Sequence, residues 1–153
     1  MKIALPELSL VALIGVSGSG KSSFAARHFL PTEVLSSDFC RGLVSDDDNE
    51  QSATNAAFEV LHFVAGKRLE AGKLTVVDAT NVQPEARKAL VALAKRHHTL
   101  AVAVVLDVPE AVCAQRNASR SDRDFGGHVL RNQRSQLRRS MNNLRREGFH
   151  KVI

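Results

Sequence analysis

Residues Gly15-Val-Ser-Gly-Ser-Gly-Lys21-Ser22 match the spacing G-x-x-x-x-G-K-[ST]. Glycines at these positions let the backbone curl so that its N–H groups converge on phosphate oxygens. A helix starting at the end of such a loop adds the positive end of its dipole. A lysine at position 21 is placed to reach the β- and γ-phosphates of a nucleoside triphosphate, and Ser22 is placed to hold Mg²⁺. The expected triphosphate contacts are Gly15, Ser17, Gly18, Ser19, Gly20, Lys21, Ser22 and Ser23. The sequence carries no N-K-x-D guanine signature, which points to ATP over strict GTP use.

Two carboxylates follow at informative places. In Ser36-Ser-Asp38-Phe-Cys-Arg41, Asp38 is expected at the carboxyl end of a strand, the edge where open α/β sheets bind ligands. A carboxylate there can take the proton of an attacking hydroxyl, and Arg41 can hold an anionic group of the acceptor. The alternative is a helix-capping aspartate beside an exposed arginine. In Val76-Val-Asp78-Ala-Thr80-Asn81, Asp78 can order Mg²⁺-bound water or position the acceptor, or can instead cap the helix that follows. Further on, Arg116, Arg120 and Arg123 lie in Arg-Asn-Ala-Ser-Arg-Ser-Asp-Arg. On a mobile loop they can close over the triphosphate and neutralise transition-state charge, or they can simply be solvated.

Positioning these residues requires a particular scaffold. The runs Ser9–Val16, Thr32–Ser37, Leu74–Ala79 and Thr99–Asp107 are apolar and consecutive, as in strands buried on both faces of a parallel sheet. Between them Gly20–Phe29, Gln51–Ala71 and Pro84–His97 have helical patterns, with Pro84 suited to a first turn and Gly72 to a stop. The alternation predicts a three-layer α/β fold with a mostly parallel sheet. Pro109–Asn117 is expected to be helical, and Ala118–Gly127 to be a loop. His128–Arg146 is expected to be a helix with Leu130, Leu137, Met141 and Leu144 on one face, stopped by Gly148, before a last strand from His150. A chain of 153 residues, 44% of them apolar, supports one domain, 1–153, with its own core. Its ending in the start of a strand suggests a domain taken from a longer protein.

The charge is unevenly placed. From Arg116 onward there are ten Lys/Arg against three Asp/Glu, a local +7 within a total of +5. Such a basic end suits an anionic partner, nucleic acid first, or else a solvated helix face. With no Trp or Tyr, base recognition by stacking is expected to be weak and sequence-blind. No apolar run approaches the roughly 20 residues needed to span a bilayer, and Pro6 and Glu7 interrupt the signal-like N-terminus. Cys40 and Cys113 have no metal-ligand spacing and suit reduced thiols, which predicts a cytoplasmic protein. Asp46–Glu50 is an acidic stretch, expected as a surface loop near the acceptor or a solvated turn.

Taken together, GVSGSGKSSFA, SSDFCR, VVDATNV with Ala86-Arg87-Lys88, and RNASRSDR resemble the 5′-OH polynucleotide kinase domain of bacterial polynucleotide kinase-phosphatases, over essentially the whole chain. The resemblance implies an ATP- and Mg²⁺-dependent kinase acting on a 5′-OH end of RNA or DNA in nucleic-acid repair. In it Asp38 is the general base, Arg41 contacts the acceptor near its 5′ end, and Arg116 and Arg123 grip the donor phosphates. It also implies phosphatase and ligase modules in the same natural polypeptide. Two other functions fit the motifs: a small-molecule or nucleotide-sugar kinase, and a non-catalytic nucleotide- or nucleic-acid-binding module using the basic helix. The joint presence of Lys21, Ser22 and Asp38 argues against the last, because a binder needs no general base.

Overall fold

The computed structural model describes residues 4–16, 18–106 and 127–153, with side chains from 131 onward in the last segment. Strand β1, Ser9–Ile14, is buried at every position, so both of its faces need cover. It sits at the centre of a five-stranded sheet with β2 (Val34–Ser36), β3 (Thr75–Asp78), β4 (Leu100–Val105) and β5 (Lys151–Val152), in the order β2-β3-β1-β4-β5. All the pairings are parallel; Leu13 lies opposite Asp78 on one side of β1 and opposite Val104 on the other. Two successive strands are added on one side of β1 and the next two on the other. The crevice where this order reverses lies at the carboxyl edge of β1, the place where such sheets bind ligands.

Helices cover both faces, giving the expected three-layer α/β fold. Leu10, Ala12 and Ile14 pack in the larger core with Ala57, Leu61, Ala65 and Leu69 of α3 (Thr54–Glu70). Leu90, Leu93 and Ala94 of α4 (Pro84–Arg96) and Leu137 of α5 (Gly127–Ser140) complete that side. Val11, Leu13, Val76, Val102 and Val104 face the other way, against Ala25 of α1 (Lys21–His28). The i, i+4 spacing of the buried residues in α3 is the helical stripe such packing requires.

The structure corrects several boundaries. The expected second strand, Thr32–Ser37, is a single 3₁₀ turn at Pro31–Glu33 followed by a strand of only three residues. Helix α2, Ser37–Ser45, begins directly after it, where no helix was expected. The Ser36 hydroxyl caps it, accepting from Phe39 N at 3.2 Å. The third helix begins with a 3₁₀ turn at Gln51–Ala53. The basic helix ends at Ser140, not Arg146, and Leu144 is buried from the turns beyond it. Gly148 therefore serves a turn, not a helix stop. Its φ is +116°, and a Cβ there would lie 2.7 Å from Val91 Cγ1, so the backbone can pass this close to α4 only as glycine. That turn buries Phe149 and delivers His150 N to Ala101 O at 2.8 Å, which starts β5 alongside β4. The stretches Pro109–Asn117 and Ala118–Gly127, with Cys113 and the arginine loop, lie outside the described residues, apart from Gly127 itself, which opens α5. Among the described residues no helix is long and apolar enough to cross a membrane.

Candidate active site

The loop after β1 is shaped by two requirements. The chain must turn sharply, and it must leave amides free. Gly18 and Gly20 have φ of +83° and +94°, the left-handed region where a side chain is strained. Gly15 donates its amide to Thr80 O at 3.0 Å, and a Cβ there would lie 2.5 Å from Ser19 Oγ and 3.0 Å from Leu106 O. The loop thus packs directly against the segments leaving β3 and β4. Gly20 is the N-cap of α1 and offers no capping side chain, and the first turn of α1 has no acidic residue. The helix N-terminus therefore has neither a side-chain cap nor an acidic residue of its own in the first turn, the local chemistry of a phosphate site. Lys21 is buried, and its Nζ donates to Val16 O at 3.1 Å, which folds the ammonium back along the loop.

A cleft of about 300 Å³ opens over this loop. Its walls include Lys21, Ser22, Asp38, Arg41 and Asp78, so residues spread over nearly sixty positions meet in one place. The Ser22 hydroxyl donates to Asp78 Oδ2 at 2.7 Å. This contact turns Asp78 toward the loop, and the next helix, α4, has Gln83 at its N-cap position. A serine hydroxyl and a carboxylate oxygen side by side are hard donors suited to Mg²⁺, which keeps most of its waters and takes one or two protein oxygens.

Asp38 is on the opposite wall, in the first turn of α2. It is not the cap of that helix, since Ser36 holds that position. Arg41 is not an exposed surface arginine either, with a side chain only 12% exposed. Its Nη1 pairs with Asp38 Oδ1, and its Nε donates to Thr54 Oγ1 at 3.2 Å. Burial lowers the Arg41 guanidinium from its usual range, yet arginine keeps its charge. Neither contact uses Nη2, so among the described residues that nitrogen is left to donate to an anion.

Sequence reasoning missed several parts of this site. Thr54 and Gln51 were read only as helix, Phe58 and Gln133 had no assigned part, and all four line the cleft. Asn81 was quoted in a motif without a role. It adopts φ of +52° and donates Nδ2 to Leu13 O at 2.8 Å, which ties the loop after β3 to β1. An Asn in a strand-to-helix loop, able to take positive φ, was the available signal. Arg87 was also quoted without a role. It is fully buried, donates Nη1 to Asn81 O at 3.0 Å, and forms a two-pronged pair with Glu147. Cys40 lies on the buried face of α2, and burial pushes its thiol up, as expected of a core residue and not of a reactive thiol. Ser23 is exposed on α1 and not in the wall of the cleft, while Ser17, Arg116 and Arg123 lie outside the described residues.

The sequence profile of a family described as an AAA domain matches residues 10–144. The chain belongs to that family. Among solved structures, it is similar to a chain of the Pnkp1/Rnl/Hen1 RNA repair complex, with 20% identity and a TM-score of 0.76, over 92% of this chain and 47% of that one. It is similar to shikimate kinase from Acinetobacter baumannii, with 20% identity and a TM-score of 0.57, over 95% and 83% of the two chains. It is also similar to the Mycobacterium tuberculosis APS kinase solved with AMPPNP and APS, with 25% identity and a TM-score of 0.57, over 75% and 71%. The chain spans about half the length of the RNA-repair chain it matches. No curated protein sequence matches it. These likenesses establish a P-loop kinase-like α/β fold.

Proposed function

We propose that this domain transfers the γ-phosphate of ATP to a 5′-hydroxyl end of RNA or DNA. The observation that carries the reading is the sharing of one cleft by a triphosphate loop on one wall and the Asp38–Arg41 pair on the other. A nucleotide switch has no need for a buried acceptor wall, whereas a phosphotransferase must hold donor and acceptor in line.

In this reading the acceptor hydroxyl gives its proton to the Asp38 carboxylate as its oxygen bonds to the γ-phosphorus. The bond from that phosphorus to the β–γ bridging oxygen breaks, and ADP leaves with the electron pair. Lys21 and the first amides of α1 neutralise the β- and γ-oxygens. Arg41 donates from Nη2 to an acceptor phosphate close to the 5′ end. Arg116 and Arg123 are assigned to the donor phosphates, on the family resemblance of their motif. Ser22 and Asp78 would hold Mg²⁺, which would supply positive charge to neutralise the donor phosphate.

The likeness to the RNA-repair chain and the basic C-terminal segment favour a polynucleotide acceptor. The likeness to shikimate and APS kinases supports the second reading, a small-molecule acceptor on the same fold. Label transfer from γ-labelled ATP separates them. Labelling of a 5′-OH oligonucleotide, and none of the same oligonucleotide bearing a 5′-phosphate, is the expected result. A folded, ATP-binding protein that labels no oligonucleotide would overturn the polynucleotide reading.

A further inference from the structure

We infer that the arginine stripe of α5 is a track for the phosphodiester backbone of the acceptor strand beyond its 5′-terminal nucleotide, an assignment that rests on the polynucleotide reading above. The first observation is charge. Helix α5, Gly127–Ser140, contains four arginines and no Asp or Glu. A helix face kept only for solubility usually interleaves carboxylates, because i, i+4 pairs of opposite charge stabilise it and like charges there cost a few tenths of a kcal/mol each. Arg131, Arg134 and Arg138 stand at i, i+3 and i+7, which lines up like charge along one side of the helix and favours an anionic occupant there.

The second observation is placement. The face of α5 that packs inward is set by buried Leu137 and Ser140. Gln133, near that face, lines the active-site cleft. Arg131 and Arg138 are exposed, and with Arg134 they border a groove of about 430 Å³ on the adjoining face. Seven residues of helix from Arg131 to Arg138 span about 10 Å. The same helix therefore borders the cleft through Gln133 and carries a cationic surface through Arg131, Arg134 and Arg138. Among the described residues the groove has no aromatic side chain in its wall, which suits a backbone track and not a base-reading surface.

The test uses the whole chain with Arg131→Ala, Arg138→Ala and the double variant, since alanine preserves the helix. Binding of a fluorescent single-stranded 5′-OH 20-mer is measured at about 50 mM and about 200 mM salt, a range over which phosphate contacts register strongly. Each lost phosphate contact should flatten the slope of log K against log salt by about 0.7, hence about 1.4 in the double variant. In label transfer, KM for the 20-mer should rise several-fold, while kcat and KM for a 5′-OH dinucleotide stay at parental values. Unchanged affinity and slope for the 20-mer overturn the track. Equal losses on dinucleotide and 20-mer also overturn it, because they place the arginines in the cleft. Binding to vesicles containing anionic lipid that the double variant loses, with 20-mer binding intact, would overturn it in favour of a membrane surface. If the parent labels neither acceptor, the kinase reading fails, and the salt slope still decides the track.

Discussion

Arg87 and Glu147 offer a test in which structure predicts an asymmetry. Arg87 is 0% exposed, and the Glu147 side chain is 21% exposed. Their contact is two-pronged, with Nε to Oε1 at 2.7 Å and Nη2 to Oε2 at 2.8 Å. Removing one partner of a buried pair costs about 3–5 kcal/mol, because it strands the other charge. Arg87→Met leaves the carboxylate that water can reach and removes a donor from Asn81 O, so it belongs at the low end, about 3 kcal/mol. Glu147→Leu strands a guanidinium that water cannot reach and belongs at the high end, about 5 kcal/mol. The double variant strands neither charge and loses chiefly the bond to Asn81 O, about 1 kcal/mol. Urea unfolding of the four proteins measures all three values. At about 2–4 °C per kcal/mol for a domain of this size, Glu147→Leu should lower Tm by about 10–20 °C. The reasoning is refuted if the single losses simply add in the double variant, or if Glu147→Leu costs less than about 1 kcal/mol. Because Arg87 also holds the carbonyl of Asn81 in the cleft wall, Arg87→Met should raise the acceptor KM more than it lowers kcat at a temperature where the protein is folded.

Four further outcomes follow from the site. Lys21→Ala should abolish label transfer by removing a cation from the β/γ-phosphates, with the far-UV spectrum unchanged; full activity in a folded variant would end the kinase reading. Asp38→Asn should lower kcat by about 10²–10⁴-fold with ATP affinity retained, as for loss of a general base; normal kcat with collapsed ATP affinity would reassign Asp38. Asp78→Asn can keep the bond to Ser22 but removes the negative charge facing it, so it should raise the Mg²⁺ concentration needed for half-maximal activity; an unchanged requirement would remove Asp78 from the metal site. Burial, and secondarily the charge of Arg96, hold the His62 imidazole below its ordinary value. The unfolded chain therefore binds the proton more readily, and stability falls as pH drops below about 6.5 toward the lowered folded value. His62→Gln should flatten that part of the pH–stability curve, and an unchanged curve would show that His62 does not cause it.

Local chemistry was readable where one residue type answers one physical need. The cradle from Gly15 to Ser22 was legible because positive φ, close approach and a cation at the loop end admit few residues. The parallel sheet was legible because strands such as Ser9–Ile14 must be apolar on both faces. Helix α2 was missed because its apolar content is short and its cap, Ser36, sits inside the run read as strand. Tertiary contact overrode that weak local signal.

What the sequence by itself determined is the loop, the α/β alternation and the carboxylates available at strand ends. Those depend on backbone conformation and burial period, which act over a few residues. Only the tertiary structure decided which side chain Asp78 meets, since its partner Ser22 lies 56 residues away and is brought near by the pairing of β1 with β3. The same holds for Arg41, whose burial depends on α3, and for Arg87, whose partner arrives from beyond α5. Partner choice between distant side chains is set by strand order and helix packing, and neither is written in spacing along the chain.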